Sequence, residues 1–345
     1  MIKVFRYELP ADRIAQRPVS PYHDAKLLVV NRKAQALSDS KFMNLPELLR
    51  AGDLIVFNDS KVIPARLFGE FETSGGKVEL LLLEEDKSDS SMWRALGKPM
   101  RKFSEGKRIR FAQDLIATIL KREGENEALI SFESASSDIP GLLKALGAMP
   151  IPPYIRGGIS DEIDIKDYQT PFGKNEGSVA APTASLHFSP QLMQALKDKG
   201  VSFEYLTLHL GTASFLPLTG SDELTENLKP PNSERISFSS ELKEKIKVTR
   251  VNSGRVVAVG TSVVRALESI ELDTIENDRT SLFIKPGHKF QNVDIAVTNF
   301  HQPGTSHLLL VEALLGRSLL EKSYRHALDN NYRFLSYGDG MVILP

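Results

Sequence analysis

The chain has 345 residues, a length that suits two domains better than one core. With 41% hydrophobic and 25% charged residues it is globular rather than disordered, and a formal net charge of −1 excludes a global polycation, so a nucleic-acid partner would have to meet a local basic patch. The absence of cysteine excludes disulfides, thiolate metal sites and cysteine nucleophiles.

The N-terminal MIKVFRYELP has no apolar leader core, and no apolar run reaches spanning length. A cytoplasmic protein with no membrane partner is therefore expected. Residues up to Ala25 read as an arm in which Arg13, Arg17, Asp24 and Lys26 surround prolines. KLLVVNR, from Lys26, is a buried strand by its apolar run, and Leu45–Ala51 reads as a short helix closed by Gly52. DLIVF at 53–57 is a second buried strand that runs into Asn58-Asp59-Ser60. Polar residues at the carboxyl end of a buried strand are where open α/β sheets place ligands, although Asp59 would also suit a plain turn.

From Val62 the texture changes to short alternating runs separated by turn signals, which predicts an all-β barrel inserted over 62–148. Its loops hold the densest basic cluster, including Arg101, Lys102, Lys107 and Arg108, either a phosphate-backbone patch or a solvated strand face. A short helix, GLLKALG, leads to the stiff Pro152-Pro153 pair, which suits the placing of Tyr154 and Arg156. Asp161–Lys166 reads as an acidic loop, and Tyr168 leads into GSVAAPTASLHFSP at 177–190.

That stretch is rich in small residues and carries His187. TLHLGTASF at 207–215 echoes it with His209. Ser189 can cap a helix that starts at Pro190 and ends at Gly200. By spacing alone the two histidines could be buried structural residues or ligand-facing ones. Residues 218–240 read as a polar excursion and Glu241–Val251 as a helix. GRVVAVG is a strand whose tip, Gly260-Thr261-Ser262, opens a helix and so offers an anion site. A strand follows through Asn299 and His301, then one long helix from about Leu308 to Asn330, then YRFLSYGDGMVIL. Strand, polar tip and helix recur at 53–60, 256–262 and 294–301. The repetition predicts a parallel or mixed sheet with Asp59, Thr261, Asn299, His301 and Asp339 along one rim. No dinucleotide, Walker, zincin or nucleophile-elbow motif is met, and the histidines lack metal-ligand spacing.

Taken together, YELPADRIAQRP, NDSKVIPARLFG, PPYIR, YQTPFGKNEGSVAAPTASLHF, TLHLGTASFLPL, GRVVAVGTSVVRALES, LFIKPGHKFQNVDIAVTNFHQP and YRFLSYGDGMVIL resemble the S-adenosylmethionine:tRNA ribosyltransferase-isomerase family of queuosine biosynthesis. The resemblance covers nearly the whole chain. It implies a mixed-sheet α/β sandwich domain, 1–61 and 149–345, interrupted by a β-barrel at 62–148. It implies transfer and isomerisation of the ribosyl group of S-adenosylmethionine onto 7-aminomethyl-7-deazaguanine at the wobble position of tRNA with a GUN anticodon. Epoxyqueuosine forms, and adenine and methionine leave. S-adenosylmethionine is then a substrate, with no prosthetic group and no metal, and the protein is expected to be a monomer.

Within that reaction a neutral histidine suits removal of a proton next to the sulfonium. His187 or His209 is expected as that base, His301 as proton donor to a leaving group, and Asp59 or Asp339 for orientation. Arg66, Arg156 and Arg265 are expected to hold carboxylate or phosphate. Tyr154, Tyr168, Thr183, Thr261 and Asn299 complete the expected substrate contacts. The chain departs from the usual family wording at Ser185, Ala213, Ser214, Lys229, Asn232 and His307. The alternatives are a relative that uses another acceptor and a non-catalytic RNA-binding relative.

Overall fold

The computed structural model describes residues 3–123, 126–135, 138–211, 228, 230, 232–271, 275–276 and 278–345. Two compact units divide the chain. One comprises Met1–Lys61, Gln169–Asn175 and Ala181–Pro345; the other comprises Val62–Tyr168 and Glu176–Ala180.

The first unit is built on a ten-stranded mixed sheet. Its centre is Leu54–Asn58, paired in parallel with Ser202–Leu208 on one side and with Val256–Val259 on the other. Ile295–Asn299 continues the parallel run, and Gly340–Leu344 pairs antiparallel to it. Lys26–Asn31 and Ala36–Lys41 close that side. Leu54–Asn58, Val256–Val259 and Ile295–Asn299 are buried at every position, as expected of strands covered on both faces. Leu27, Ile55, Phe57, Val257, Val297 and Phe188 pack into one core cluster on this sheet.

The expected helix after Ser189 is present at Pro190–Asp198. Ser189 Oγ accepts from the Leu192 N–H at 3.2 Å, and Gly200 takes φ +82° to release the chain. Five expectations change. The helix expected over Leu45–Ala51 stops at Leu48. The excursion expected at 218–240 ends in a strand, Glu234–Ser237, paired with Ser202–Leu208, while most of its earlier part lies outside the described residues. The long helix expected to run to Asn330 is two helices, Ser306–Leu315 and Arg317–Asp329, broken at Gly316, whose φ of +75° leaves the helical region. Asp161–Lys166 is not all loop, because Asp164–Asp167 forms one helical turn. After Asp59 the chain enters a short strand, Ser60–Val62, rather than a helix. Ala36–Lys41 is an edge strand that its polar sequence does not announce.

The second unit contains a closed six-stranded barrel formed by Arg66–Phe71, Lys77–Glu85, Met92–Lys98, Arg108–Arg110, Ile116–Glu123 and Glu127–Glu133. Strict alternation produces it. Val78, Leu80 and Leu82 point inward from one strand, and Ala128, Ile130 and Phe132 from another. Gly97 is needed where the Phe103 ring crosses the strand, because a Cβ there would lie 2.1 Å from the ring.

Candidate functional site

The strand directions of the first unit decide which residues share an edge. Leu54–Asn58, Ser202–Leu208, Val256–Val259 and Ile295–Asn299 are all parallel, so their carboxyl ends lie on the same edge. Gly340–Leu344 runs the other way, with Asn299 opposite Gly340, so its start lies there too. Asp59, His209, Thr261, Asn299, His301 and Asp339 therefore sit along one rim.

The most connected group on the rim surrounds His187, which lies in the 3-10 turn Thr183–His187 and is only 4% exposed. Its ring stacks on Phe42 at 3.9 Å between centroids. Nδ1 is 3.4 Å from the Tyr22 carbonyl and Nε2 is 3.5 Å from Asn299 Nδ2. Because a carbonyl only accepts, Nδ1 carries the proton, and Nε2 keeps its lone pair toward the Asn299 amide. Thr183 Oγ1 is 3.1 Å from Asn299 Oδ1 and can donate to it, while Asn299 Nδ2 also lies 3.4 Å from the Asp339 carbonyl. Burial lowers the His187 pKa to about 4, so the imidazole is neutral near pH 7. The Asp339 carboxyl moves the other way. Burial raises its pKa, although the Lys26 and Arg333 backbone N–H groups bond it at 2.9 and 2.7 Å.

His301 forms a second group. Its Nε2 is 2.8 Å from Thr298 Oγ1, Tyr324 Oη accepts from its N–H, and Tyr7 Oη donates to its carbonyl. The His307 ring stacks on it at 5.2 Å. Burial first, then the neighbouring His307, holds its pKa well below the usual imidazole value; burial takes His307 itself to about 4.

Asp59 accepts from Thr207 Oγ1 at 2.6 Å and from Asn175 Nδ2 at 3.1 Å, so its position comes from two other segments. Thr261 starts an eleven-residue helix behind Gly260, which takes φ +95°. Arg265 is not free to hold a substrate. Its donors go to Glu234, to the Leu282 carbonyl at 2.9 Å and to the Thr280 carbonyl at 2.9 Å. Glu234 in turn accepts from the Gly211 N–H at 2.8 Å, so this pair anchors the chain just after His209. The buried Ser185 hydroxyl has no hydrogen-bond partner among the described residues. Ala213, Ser214 and Lys229 lie outside those residues.

Arg66, Tyr154, Arg156 and Tyr168 belong to the second unit. Arg66 bonds the Gly158 and Ile151 carbonyls and lies 3.2 Å from Glu79. Arg156 pairs with the buried Asp164. In the basic cluster Arg108 is neutralised by Glu72 and Glu133, at 2.9 and 2.6 Å. Lys107 Nζ donates to the Lys102 carbonyl, and Arg101 is exposed. Among the described residues no group of three or more His, Asp or Glu could hold a metal. No described helix is long and apolar enough to cross a membrane. Phe42, the Tyr22 carbonyl and Asn175 carry no signal in the sequence, because each meets the rim across more than 100 residues.

The depressed histidines make an acid-stability prediction. A histidine whose folded pKa lies below its unfolded value of about 6.5 binds fewer protons when folded. The stability it contributes is complete above that value and is lost as pH falls toward about 4 for His187. Urea midpoints are expected to fall between pH 7 and pH 5, with His187 alone responsible for about 2 kcal/mol of the loss. Unfolding curves of His187→Phe should show a shallower pH slope; an unchanged slope would contradict this account.

A family model described as queuosine biosynthesis protein matches residues 2–343. A curated relative from Magnetococcus marinus, an S-adenosylmethionine:tRNA ribosyltransferase-isomerase, is 42% identical over 99% of this chain and 93% of its own. One of the same name from Aquifex aeolicus is 44% identical over 99% of both. The crystal structure of S-adenosylmethionine tRNA ribosyltransferase from Thermotoga maritima superposes with a TM-score of 0.55, at 33% identity over 99% of both chains.

Proposed function

The chain belongs to the S-adenosylmethionine:tRNA ribosyltransferase-isomerase family, and from that premise we propose how its own residues carry the reaction. It transfers and isomerises the ribosyl group of S-adenosylmethionine onto 7-aminomethyl-7-deazaguanine in tRNA, forming epoxyqueuosine. The observation that carries this is the match over 342 residues in one frame, from 2 to 343.

His187 is the proposed base. A sulfonium acidifies the C5′ protons beside it, so a weak base suffices provided that it is uncharged. Burial keeps His187 uncharged, and the bond from Nδ1 to the Tyr22 carbonyl directs the lone pair of Nε2 at the rim. Thr183 and Asn299 hold that geometry. His301, which burial leaves neutral, is proposed to donate a ring N–H hydrogen bond to the departing adenine rather than to act as its acid, and Asp59 and Asp339 orient the rim. Thr261, at a helix N-terminus, is proposed to face the carboxylate of the methionine part. His209 is retained as the alternative base. Arg265 is reassigned from substrate contact to support of the His209 loop. Arg66 and Arg156, whose donors already go to the Gly158 and Ile151 carbonyls, Glu79 and Asp164, and the buried Tyr168 are reassigned from substrate contact to support of the second unit. Tyr154 remains a proposed contact for the nucleic acid or its modified base, and Arg101, Lys102 and Lys107 for its phosphates; Arg108 is already paired.

All ten strands of the sheet lie outside 62–148 and all six barrel strands lie within it, which supports an inserted barrel in a proposed catalytic domain of 1–61 and 149–345, with 149–168 and 176–180 belonging to the same compact unit as the barrel. The proposed tRNA carries a GUN anticodon, adenine and methionine are the proposed leaving products, and a monomer acting in the cytoplasm is the proposed form.

Incubation with S-adenosylmethionine and undermodified tRNA should release adenine and methionine and add mass to the tRNA. Adenine release without a mass gain would point to another acceptor. Binding of tRNA without turnover would point to a non-catalytic relative. In the same assay Asp59→Asn is expected to lose about tenfold in kcat, since it keeps the shape but weakens the charge-assisted bond from Thr207. Unchanged kcat would remove Asp59 from the site.

A further inference from the structure

Asn58 has no exposed surface, and its side chain joins three pieces of the rim. Its Oδ1 accepts from the Leu208 N–H at 3.1 Å and from the Ser60 N–H at 3.0 Å. Its Nδ2 donates to the Leu208 carbonyl at 2.9 Å and lies 3.5 Å from Ser262 Oγ. The parallel ladder explains why an amide is needed here. The Asp59 N–H still bonds the Leu206 carbonyl at 2.9 Å, but the chain then turns into Ser60–Val62. The neighbouring strand continues to Leu208 and would lose its partner. The Asn58 amide offers one donor and one acceptor to that residue, and so replaces the next backbone rung.

We propose that Asn58 is a positioning residue for the reaction, the buried link that holds the Asp59 turn, the strand end before His209 and the Thr261–Ser262 helix start in one arrangement. This rests on the rim being the reaction site. Asn58 touches no substrate in this account; it acts through Asp59, His209 and Thr261. A hydrophobic side chain of similar size would fill the space yet leave Leu208 N–H and C=O unpaired, and the three pieces would move independently. A displacement of about 1 Å at reacting groups costs about 10²-fold in rate.

The test compares Asn58→Leu and Asn58→Asp with the wild-type chain, using adenine release from S-adenosylmethionine in the presence of tRNA. Thermal unfolding of each variant gives the folded fraction, so that kcat is expressed per folded molecule. Asn58→Leu is expected to lose about 10²-fold in kcat, with KM for S-adenosylmethionine changed less than about threefold. Asn58→Asp keeps the acceptor and loses the donor when ionised. Its protonated form regains an O–H donor, and burial favours that form. Its kcat relative to wild type should therefore rise as pH falls from 8 to 6. A merely structural residue would lower the folded fraction without this pH-dependent recovery.

Wild-type kcat per folded Asn58→Leu molecule overturns the proposal. If that variant does not fold, a pH-independent kcat ratio for Asn58→Asp overturns it instead. His187→Gln and Asp59→Asn are assayed alongside. If these keep activity as well, the rim assignment has failed; if they lose it while both Asn58 variants keep it, only the positioning role has failed.

Discussion

Replacing His187 with glutamine is expected to lower kcat by about 10²–10⁴-fold, while KM for S-adenosylmethionine moves by less than about threefold. Glutamine keeps a polar group near Asn299 and the Tyr22 carbonyl but has no lone pair basic enough to take a proton. The effect should therefore fall on the chemical step rather than on binding. The stacking of the ring on Phe42 and its near-complete burial separate this base from solvent, so added imidazole should rescue the variant poorly. The rate of solvent deuterium incorporation at C5′ of recovered S-adenosylmethionine would read the proton step directly, and it should fall with kcat. The variant should also tolerate acid better than the wild-type chain, because a neutral amide has no proton to gain. A folded His187→Gln protein with kcat within threefold of wild type would move the base to His209.

How much of this site could be read in the chain depended on the range of the interaction concerned. The rim was legible because it follows from strand polarity. Asp59, Thr261 and Asn299 each end or follow a buried apolar run, and parallel strands bring such ends together. Ser189 and Gly200 were legible because helix caps are local chemistry. The inserted barrel was legible from two-residue alternation, as in Lys77–Glu85. Other features had no local signature. The break at Gly316 lies inside a pattern that is apolar and helical on both sides, and one glycine does not by itself show that a helix stops. The family resemblance leads one to expect Arg265 to hold a carboxylate or phosphate. Only the fold brings Glu234 and the Thr280 and Leu282 carbonyls to its guanidinium. Phe42 lies 145 residues before His187, and nothing in either segment indicates the stack.

The largest stability effect is expected at a residue away from the rim. Glu268 has no exposed surface. Its Oε1 accepts from the Asn292 and Val293 N–H groups at 2.9 and 3.1 Å, and its Oε2 accepts from the Gln291 N–H at 2.9 Å. His288 Nε2 lies 3.2 Å from the same Oε2. One carboxylate thus satisfies three consecutive backbone donors in the segment that feeds the Ile295–Asn299 strand. Glu268→Ala leaves the buried Asn292 and Val293 N–H groups unpaired and frees that of the exposed Gln291, and is expected to cost about 3–5 kcal/mol of unfolding free energy. Glu268→Gln separates charge from hydrogen bonding. Its carbonyl oxygen can still serve Asn292 and Val293, but its NH₂ then faces the Gln291 N–H, donor against donor. It should cost less than alanine and more than nothing, about 1–3 kcal/mol. Because Glu268 lies on the helix that begins at Thr261 and its partners lead to Asn299 and His301, the loss should also reach the rim. Both variants should lose adenine release at temperatures below their unfolding midpoints, glutamine less than alanine. Urea unfolding monitored alongside turnover distinguishes the outcomes: a Glu268→Ala midpoint within experimental error of wild type would show that these three N–H groups find other partners.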